Sequence, residues 1–126
     1  MTDVNTLQRI SVPSTEIDGV SVTDQEGALV LRFELPPDSP AAEEGFRFPW
    51  VRAYRHRAEL YCTEEHLEAY DTLVEIRDSP WVAELKACAA PEWRDRFAMN
   101  HYMIYLDSAG CYEVVAESWA ILGRAR

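Results

Sequence analysis

The sequence predicts an α+β fold, in which a mainly antiparallel sheet carries helices on one face. Alternating apolar and polar residues occupy segments in the first and last thirds of the chain, and residues with helical spacing lie between them. The predicted order is β-β-β-α-α-(α)-β-β, and helices grouped in this way pack on one side of an antiparallel sheet. The chain is the size of a single domain, residues 1–126, which buries roughly two-thirds of its unfolded surface.

The N-terminal part of the chain predicts a hairpin. Residues 1–13 show no clear period and are expected to fray. Two strands are predicted over residues 17–23 and 28–35, and the second alternates cleanly between apolar and polar side chains. The intervening turn, residues 24–27, ends on a glycine that can take a positive φ, so the two strands are predicted to pair.

A proline-rich stretch and an arginine-rich strand follow the hairpin. Residues 36–47 are predicted to form a loop, because three prolines within residues 36–40 remove backbone N–H donors. A third strand is predicted over residues 48–61. Four arginines fall within residues 47–57 of an otherwise acidic chain.

Three helical segments are predicted in the middle of the chain. The first covers residues 63–77 and begins with Thr63 as its N-cap. Ser79 is predicted to cap the second helix, with Pro80 at its first helical position. A short third segment begins at Pro91.

The last strands predict a hairpin, residues 101–106 and 111–119, around a turn that places Gly110 in the left-handed region. One face is continuously apolar and is predicted to pack on the helices, with the pairs Leu106–Tyr112, Ile104–Val114 and Tyr102–Ala116. The opposite face is predicted to be partly exposed, with the pairs His101–Glu117, Met103–Val115 and Tyr105–Glu113.

Composition restricts the partners and the compartment. The formal net charge is −10, so the surface repels phosphate backbones and no nucleic-acid partner is expected. No apolar run approaches the roughly 20 residues that cross a bilayer, and no basic-then-apolar leader opens the chain, so a cytoplasmic protein without membrane contact is expected. The three cysteines are odd in number and widely spaced, which predicts reduced thiols.

The sequence offers no motif that identifies a reaction. A nucleophile elbow and a glycine-rich phosphate loop are both absent from it. Among His56, Cys62, His66 and His101 only one pair is closely spaced, whereas zinc sites usually have paired close spacings. Cys62 precedes a predicted helix cap, where a reactive thiol is one interpretation and a packed core thiol the other. No catalytic residue, metal ligand or cofactor is therefore assigned.

Two surfaces are candidates for a ligand or a partner. The arginine-rich strand could hold a small anionic ligand, since guanidinium groups bind carboxylates and phosphates, or its arginines could neutralise nearby acids or protect an edge strand. The polar-aromatic face of the C-terminal hairpin could hold a histidine–glutamate acid–base pair, a partner surface or only solvent. The assigned residues are Arg52, Tyr54 and His56 on the strand, and His101, Tyr105, Glu113, Glu117 and Trp119 on the hairpin.

These features favour a non-catalytic binding or interaction protein that uses the sheet face opposite the helices. Its aromatic and apolar side chains would need a cover, which a protein partner or a second copy of the chain would supply. An acidic inhibitor or immunity-type protein that docks onto a basic enzyme is one example. The alternative is a small cytoplasmic enzyme or ligand-binding protein with a sheet–helix pocket lined by His, Tyr and Arg, and a closed pocket would favour it.

Overall fold

The structure is a computed structural model that describes residues 3–125, within which the chain forms nine strands and two α-helices. The strands are β1 (Val4–Arg9), β2 (Gly19–Gln25), β3 (Ala28–Glu34), β4 (Ala41–Phe48), β5 (Val51–Arg57), β6 (Thr72–Ile76), β7 (Asn100–Leu106), β8 (Gly110–Ala116) and β9 (Ala120–Ala125). The helices are α1 (Glu64–Leu67) and α2 (Pro80–Cys88), and short 3-10 turns cover Ser14–Glu16, Glu59–Tyr61 and Pro91–Trp93.

The strands form two antiparallel sheets that pack face to face. The first sheet has the strand order β1-β6-β7-β8-β5, and the second has the order β2-β3-β4-β9. One buried cluster contains Phe46 and Phe48 of the second sheet together with Tyr102 and Ile104 of the first. The rings of Phe48 and Tyr102 lie 5.5 Å apart. The molecule is therefore a β-sandwich, whose core consists of the inward-facing side chains of both sheets.

The predicted layer of helices on a sheet face is wrong. The described helices have only four and nine residues, and the apolar face of β7 and β8 packs against the second sheet. Alternation shows that one face of a strand is apolar, but it does not show whether helices or another sheet cover that face. Within residues 3–125, no helix is long and apolar enough to cross a lipid bilayer.

Several predicted boundaries in the first half of the chain are also wrong. Residues 1–13, expected to fray, contain β1, which pairs with β6; residues 1 and 2 lie outside the described residues. The predicted loop 36–47 contains most of β4, because its prolines end just before Ala41. The predicted strand 48–61 is interrupted at Trp50, whose φ is 52°, so that β4 and β5 belong to different sheets.

The helix predicted over residues 63–77 ends at Leu67, and the remainder of that segment forms β6. Asp71 has a φ of 54° at the turn between them. Leu73 lies in the core between the sheets and Val74 in a second cluster on the outer face of the first sheet. A strand that is buried on both faces has an apolar run that periodicity cannot distinguish from a buried helix.

Two local predictions are confirmed. The N-terminal hairpin forms, since β2 and β3 pair and Gly27 has a φ of 83° in the turn. The second helix begins as predicted, because Ser79 accepts a hydrogen bond from the Val82 N–H at 3.1 Å and Pro80 is the first helical residue. Both signals depend on residues next to one another in sequence, which the fold does not alter.

The C-terminal hairpin forms in a register two residues away from the predicted one. The observed pairs are Leu106–Gly110, Tyr105–Cys111, Ile104–Tyr112, Met103–Glu113, Tyr102–Val114, His101–Val115 and Asn100–Ala116. The strands close around residues 107–109, where Ser108 has a φ of 64°, and Gly110 then has a φ of 100°. A Cβ on Gly110 would lie 2.2 Å from the Arg57 carbonyl oxygen. Because a shift of two residues preserves the faces, the residues predicted to be buried on the apolar face are buried.

Candidate functional site

Polar side chains are buried on the outer face of the first sheet. A cleft of about 470 Å³, here called the outer cleft, lies between β5, β7 and β8, α1 and the start of α2. Its lining includes Arg55, His66, Trp81, His101, Met103 and Glu113. A neighbouring groove of about 670 Å³, here called the α2 groove, shares His101 with it and is also lined by Ser79.

His101 and Glu113 form a buried hydrogen-bonded pair inside this face. His101 Nε2 lies 2.8 Å from Glu113 Oε1, and the two residues are only 3% and 5% exposed. The register explains the contact: Glu113 is opposite Met103 and His101 is opposite Val115, so the two are diagonal neighbours across β7 and β8. The predicted register would have placed Glu117 beside His101 instead.

Ser79 extends this pair to three groups. Its Oγ lies 2.7 Å from His101 Nδ1, and Ser79 is 8% exposed at the N-cap of α2. The capping role fixes the hydroxyl, because the oxygen also accepts the Val82 N–H. The serine, the histidine and the glutamate therefore form an unbroken chain of side-chain hydrogen bonds.

Arg55 keeps the Glu113 carboxyl ionised. Its Nε lies 2.9 Å from Oε2 and its Nη2 lies 3.1 Å from Oε1, a bidentate contact. Burial alone would raise the pKa of Glu113, but hydrogen bonds from His101 and Arg55 outweigh it and lower this pKa to about 2. The Arg55 guanidinium also lies over the Trp81 ring, 3.9 Å from its centroid, so the aromatic side chain covers the ion pair.

The ionised Glu113 determines where the protons lie. A carboxylate can only accept, so in neutral His101 the Nε2 carries the proton and donates to Glu113. The Nδ1 of His101 then has a free lone pair, and the hydrogen bond of 2.7 Å must be donated by the Ser79 hydroxyl. This is the arrangement in which a histidine acts as a general base towards a serine.

The first turn of α2 supplies a backbone donor next to Ser79. The Val82 N–H donates to Ser79 Oγ and the Ala83 N–H donates to the Ser79 carbonyl. Pro80 has no N–H to donate. The Trp81 N–H is therefore the remaining donor of the first turn, and it has no acceptor among residues 3–125. A helix N-terminus stabilises negative charge, so this N–H is suited to a developing oxyanion.

The possible ligand atoms of His66, Cys111 and Glu113 lie within 4.8 Å of one another, a spacing compatible with a metal ion. The Thr63 N–H donates to His66 Nδ1 at 2.9 Å, so the proton of the neutral imidazole is on Nε2 and no lone pair faces the cluster. Burial, followed by the Glu113 charge, raises the pKa of the Cys111 thiol, and the Arg55 charge opposes a second cation. In this arrangement the three side chains do not fit a metal ion.

The structure brings together two of the five residues predicted on the hairpin surface, His101 and Glu113. Tyr105 is 6% exposed in the outer apolar cluster, Glu117 is exposed just beyond β8, and Trp119 packs against the core. The sheet face opposite the helices is the inner face of the sandwich, where its side chains pack against the second sheet.

The three residues predicted on the arginine-rich strand all lie on β5. Arg52, Tyr54 and His56 are exposed, and none of these described side chains lines the outer cleft. His56 Nε2 lies 2.7 Å from the Ala109 carbonyl oxygen, and the Arg52 guanidinium lies 4.8 Å from the Phe97 ring centroid. Arg52, Tyr54 and His56 are therefore separate from the His101–Glu113 pair, although Arg55 of the same strand contacts Glu113.

Sequence reasoning missed Ser79, Arg55 and Trp81 as parts of a site. Ser79 was assigned only as a helix cap, and 22 residues separate it from His101 without any recurring spacing. Alternation along the arginine-rich strand predicts Arg55 on the face opposite Arg52, but the contact of Arg55 with Glu113 depends on the pairing of β5 with β8, which the sequence did not predict. The error in the hairpin register concealed the contact between His101 and Glu113.

Comparison of the chain with protein-family models, with curated proteins and with solved structures found no match. The chemistry of the buried Ser79–His101–Glu113 chain is thus the observation that bears most directly on function. It combines a nucleophile, a base with a defined free lone pair and a carboxylate that stays ionised.

Proposed function

We propose that the protein is a small hydrolase that acts by acyl transfer to Ser79. His101 is the general base and Glu113 is the group that orients it. The observation that carries the proposal is the pair of contacts Ser79 Oγ–His101 Nδ1 at 2.7 Å and His101 Nε2–Glu113 Oε1 at 2.8 Å. The same three roles occur on unrelated folds, and geometry rather than sequence position identifies them.

The reaction begins when Ser79 Oγ attacks the acyl carbon of an ester, and the hydroxyl proton passes to His101 Nδ1. The leaving alkoxide departs with that proton, which leaves an acyl group on Ser79. A water molecule then attacks the acyl carbon and gives a proton to His101 Nδ1. Release of the carboxylic acid returns this proton to Ser79 Oγ, so the overall change is the hydrolysis of the ester to an acid and an alcohol.

Glu113 supports both steps through its charge and its hydrogen bond. While Nδ1 holds the transferred proton, His101 is an imidazolium, and the carboxylate 2.8 Å from Nε2 stabilises it. The positive charge of Arg55 destabilises the imidazolium. Its contact nevertheless holds the carboxylate in place and, together with the hydrogen bond from His101, lowers the pKa of Glu113 to about 2. Glu113 is therefore ionised and fixed in orientation throughout the neutral pH range.

The α2 groove gives the substrate a place next to Ser79. Its volume of about 670 Å³ is in the range of small-ligand sites. Charged side chains of both signs line it: Glu75, Asp78, Arg77 and Lys86. This balance favours a substrate without a large net charge, such as a neutral ester or thioester.

A purely structural role explains only part of this arrangement. A helix cap needs the Ser79 hydroxyl alone, and the contact with the Val82 N–H already provides it. Burying the ionised Glu113 beside His101 carries a desolvation cost of several kcal/mol. The extra buried pair is thus better explained by chemistry at Ser79 than by capping.

The test is covalent labelling with a fluorophosphonate probe, followed by peptide mass spectrometry. We expect the wild-type protein to be labelled at Ser79 and p-nitrophenyl acetate to be hydrolysed. Ser79→Asn keeps a good N-cap without a nucleophile and should abolish both signals. Ser21→Ala, a serine of β2 outside the site, is the matched control and should react as the wild type does. Equal labelling of Ser79→Asn and the wild type would refute the proposal.

A further inference from the structure

β5 is an edge strand with an exposed outer side. Among the described strands it pairs with β8 on one side and with none on the other. Four consecutive residues at its end, Tyr54 to Arg57, are exposed, as is Arg52. Such an edge presents backbone N–H and C=O groups that can pair with an added strand.

The charge of β5 is opposite to that of the whole protein. It contains Arg52, Arg55, Arg57 and His56 and has no acidic residue, whereas the chain carries a formal net charge of −10. Arg52 lies over the Phe97 ring and has no carboxylate partner within residues 3–125. An approaching segment with negative charge is therefore attracted to this edge and repelled by most of the remaining surface.

Large apolar side chains are exposed at both ends of β5. Trp50, directly before the strand, is 61% exposed, and Leu60 and Tyr61, shortly after it, are 85% and 69% exposed. Charged side chains alone are a common way to protect an edge strand from aggregation. Exposed apolar residues at the strand ends promote association with other chains. Protection from aggregation therefore does not explain why these residues are exposed.

We propose that the β5 edge binds an extended acidic segment of another polypeptide as an additional strand. Acidic side chains would lie beside Arg52 and Arg57, because Arg55 already binds Glu113, and apolar side chains at the segment ends would cover Trp50 and Leu60. The seven residues of β5 span about 23 Å, which sets the length of the bound segment. A second copy of β5 does not fit, because it would place a cationic strand against a cationic strand.

A binding measurement tests the charge requirement. The probe is a fluorescein-labelled peptide of nine residues that alternates glutamate with valine and has leucine at both ends. We expect its fluorescence anisotropy to rise with protein concentration and its affinity to fall with salt. Replacing each glutamate by glutamine should weaken binding by about tenfold or more, a difference of one decade in Kd. No binding up to about 1 mM protein, or equal binding of both peptides, would overturn the proposal.

Protein variants and hydrogen exchange locate the bound peptide. Arg52→Glu should weaken binding by about tenfold, whereas Arg47→Glu, which reverses an exposed charge on β4, should leave it unchanged. Bound peptide should slow amide exchange within β5 and leave β2, an edge strand of the second sheet, unaffected. Strand addition to β5 would be excluded if amide exchange slowed only outside β5. It would also be excluded if single-stranded DNA displaced the peptide with equal affinity. Labelling of Ser79 in Arg52→Glu shows separately whether the hydrolase site is intact.

Discussion

The two faces of the β7–β8 hairpin are buried in different ways. The inner face is apolar and meets the second sheet, with Ile104 and Val114 almost fully buried. The outer face meets short helical segments and combines apolar Met103 with the buried pair His101 and Glu113. Both faces bury their side chains, but only the outer face buries an ionised carboxylate, which carries a desolvation cost.

Within this hairpin, the inner face serves mainly the stability of the fold and the outer face serves the proposed reaction. Apolar contacts on the inner face are satisfied by any well-packed layer, so they stabilise the sandwich without fixing a reaction. A polar chain such as Ser79–His101–Glu113 is satisfied only in one geometry. Changes on the inner face should therefore affect folding, and changes on the outer face should affect the proposed reaction more strongly than folding.

The largest expected effect is on the reaction of the outer face. His101→Gln removes the general base, and we expect the rate of p-nitrophenyl acetate hydrolysis to fall by about 10²–10⁴-fold. The rate should be measured at a temperature where circular dichroism shows the variant to be folded. His56→Gln, which changes an exposed histidine of β5 that does not line the outer cleft, is the matched control and should retain most of the rate. A His101→Gln variant that hydrolyses the ester at the wild-type rate would remove the functional distinction between the faces.

The next largest effect is on the stability of the inner face. Ile104→Ala leaves a cavity between the sheets and should lower the free energy of unfolding by about 2–5 kcal/mol. Met103→Ala should lower it by less, because Met103 lines the outer cleft, where water can fill the space. Urea unfolding of both variants checks the order. Equal losses would show that the outer face contributes as much packing as the inner one.

The sequence predicted which residues share a face, but not what covers each face. Alternation identified the apolar set around Ile104 and the polar set around His101, because the side-chain period of two depends on the strand alone. The covering layer depends on distant residues such as Phe46, in a segment interpreted as a loop. β6 was interpreted as a helix because burial on both faces hides the strand period.

The candidate site was predictable only in part, for a related reason. His101 and Glu113 were both assigned to the hairpin surface, yet their contact required a register fixed by the turn at Gly110. Ser79 was found through its local capping signal, and nothing local indicated that it would meet His101. Contacts between distant segments are decided by packing, which one sequence does not display.

The third prediction concerns the pH dependence that Glu113 gives to folding. Its pKa is 4.5 in the unfolded chain and about 2 in the folded protein, so the folded state favours the carboxylate. Ionised Glu113 therefore contributes about 3 kcal/mol to the free energy of unfolding. This stabilisation is fully present above pH 4.5 and is lost as the pH falls towards 2. The stability difference between wild type and Glu113→Gln should therefore shrink over that interval. Urea unfolding at several pH values measures this stability difference, and Glu117→Gln is the charge-matched control. A stability difference that does not change with pH would contradict the ion pair between Arg55 and Glu113.

The smallest expected effect separates the two roles of Ser79. Ser79→Ala removes the N-cap of α2 and should lower the free energy of unfolding by about 1 kcal/mol, because the Val82 N–H loses its acceptor. Ser79→Asn restores a capping oxygen and should recover most of that loss, whereas neither variant should react with the fluorophosphonate. Thermal unfolding and labelling of the same samples provide both readings. If Ser79→Asn were as unstable as Ser79→Ala, the Ser79 hydroxyl would stabilise the fold mainly through its hydrogen bond to His101. Loss of labelling in either variant would then reflect a disturbed outer face instead of a missing nucleophile.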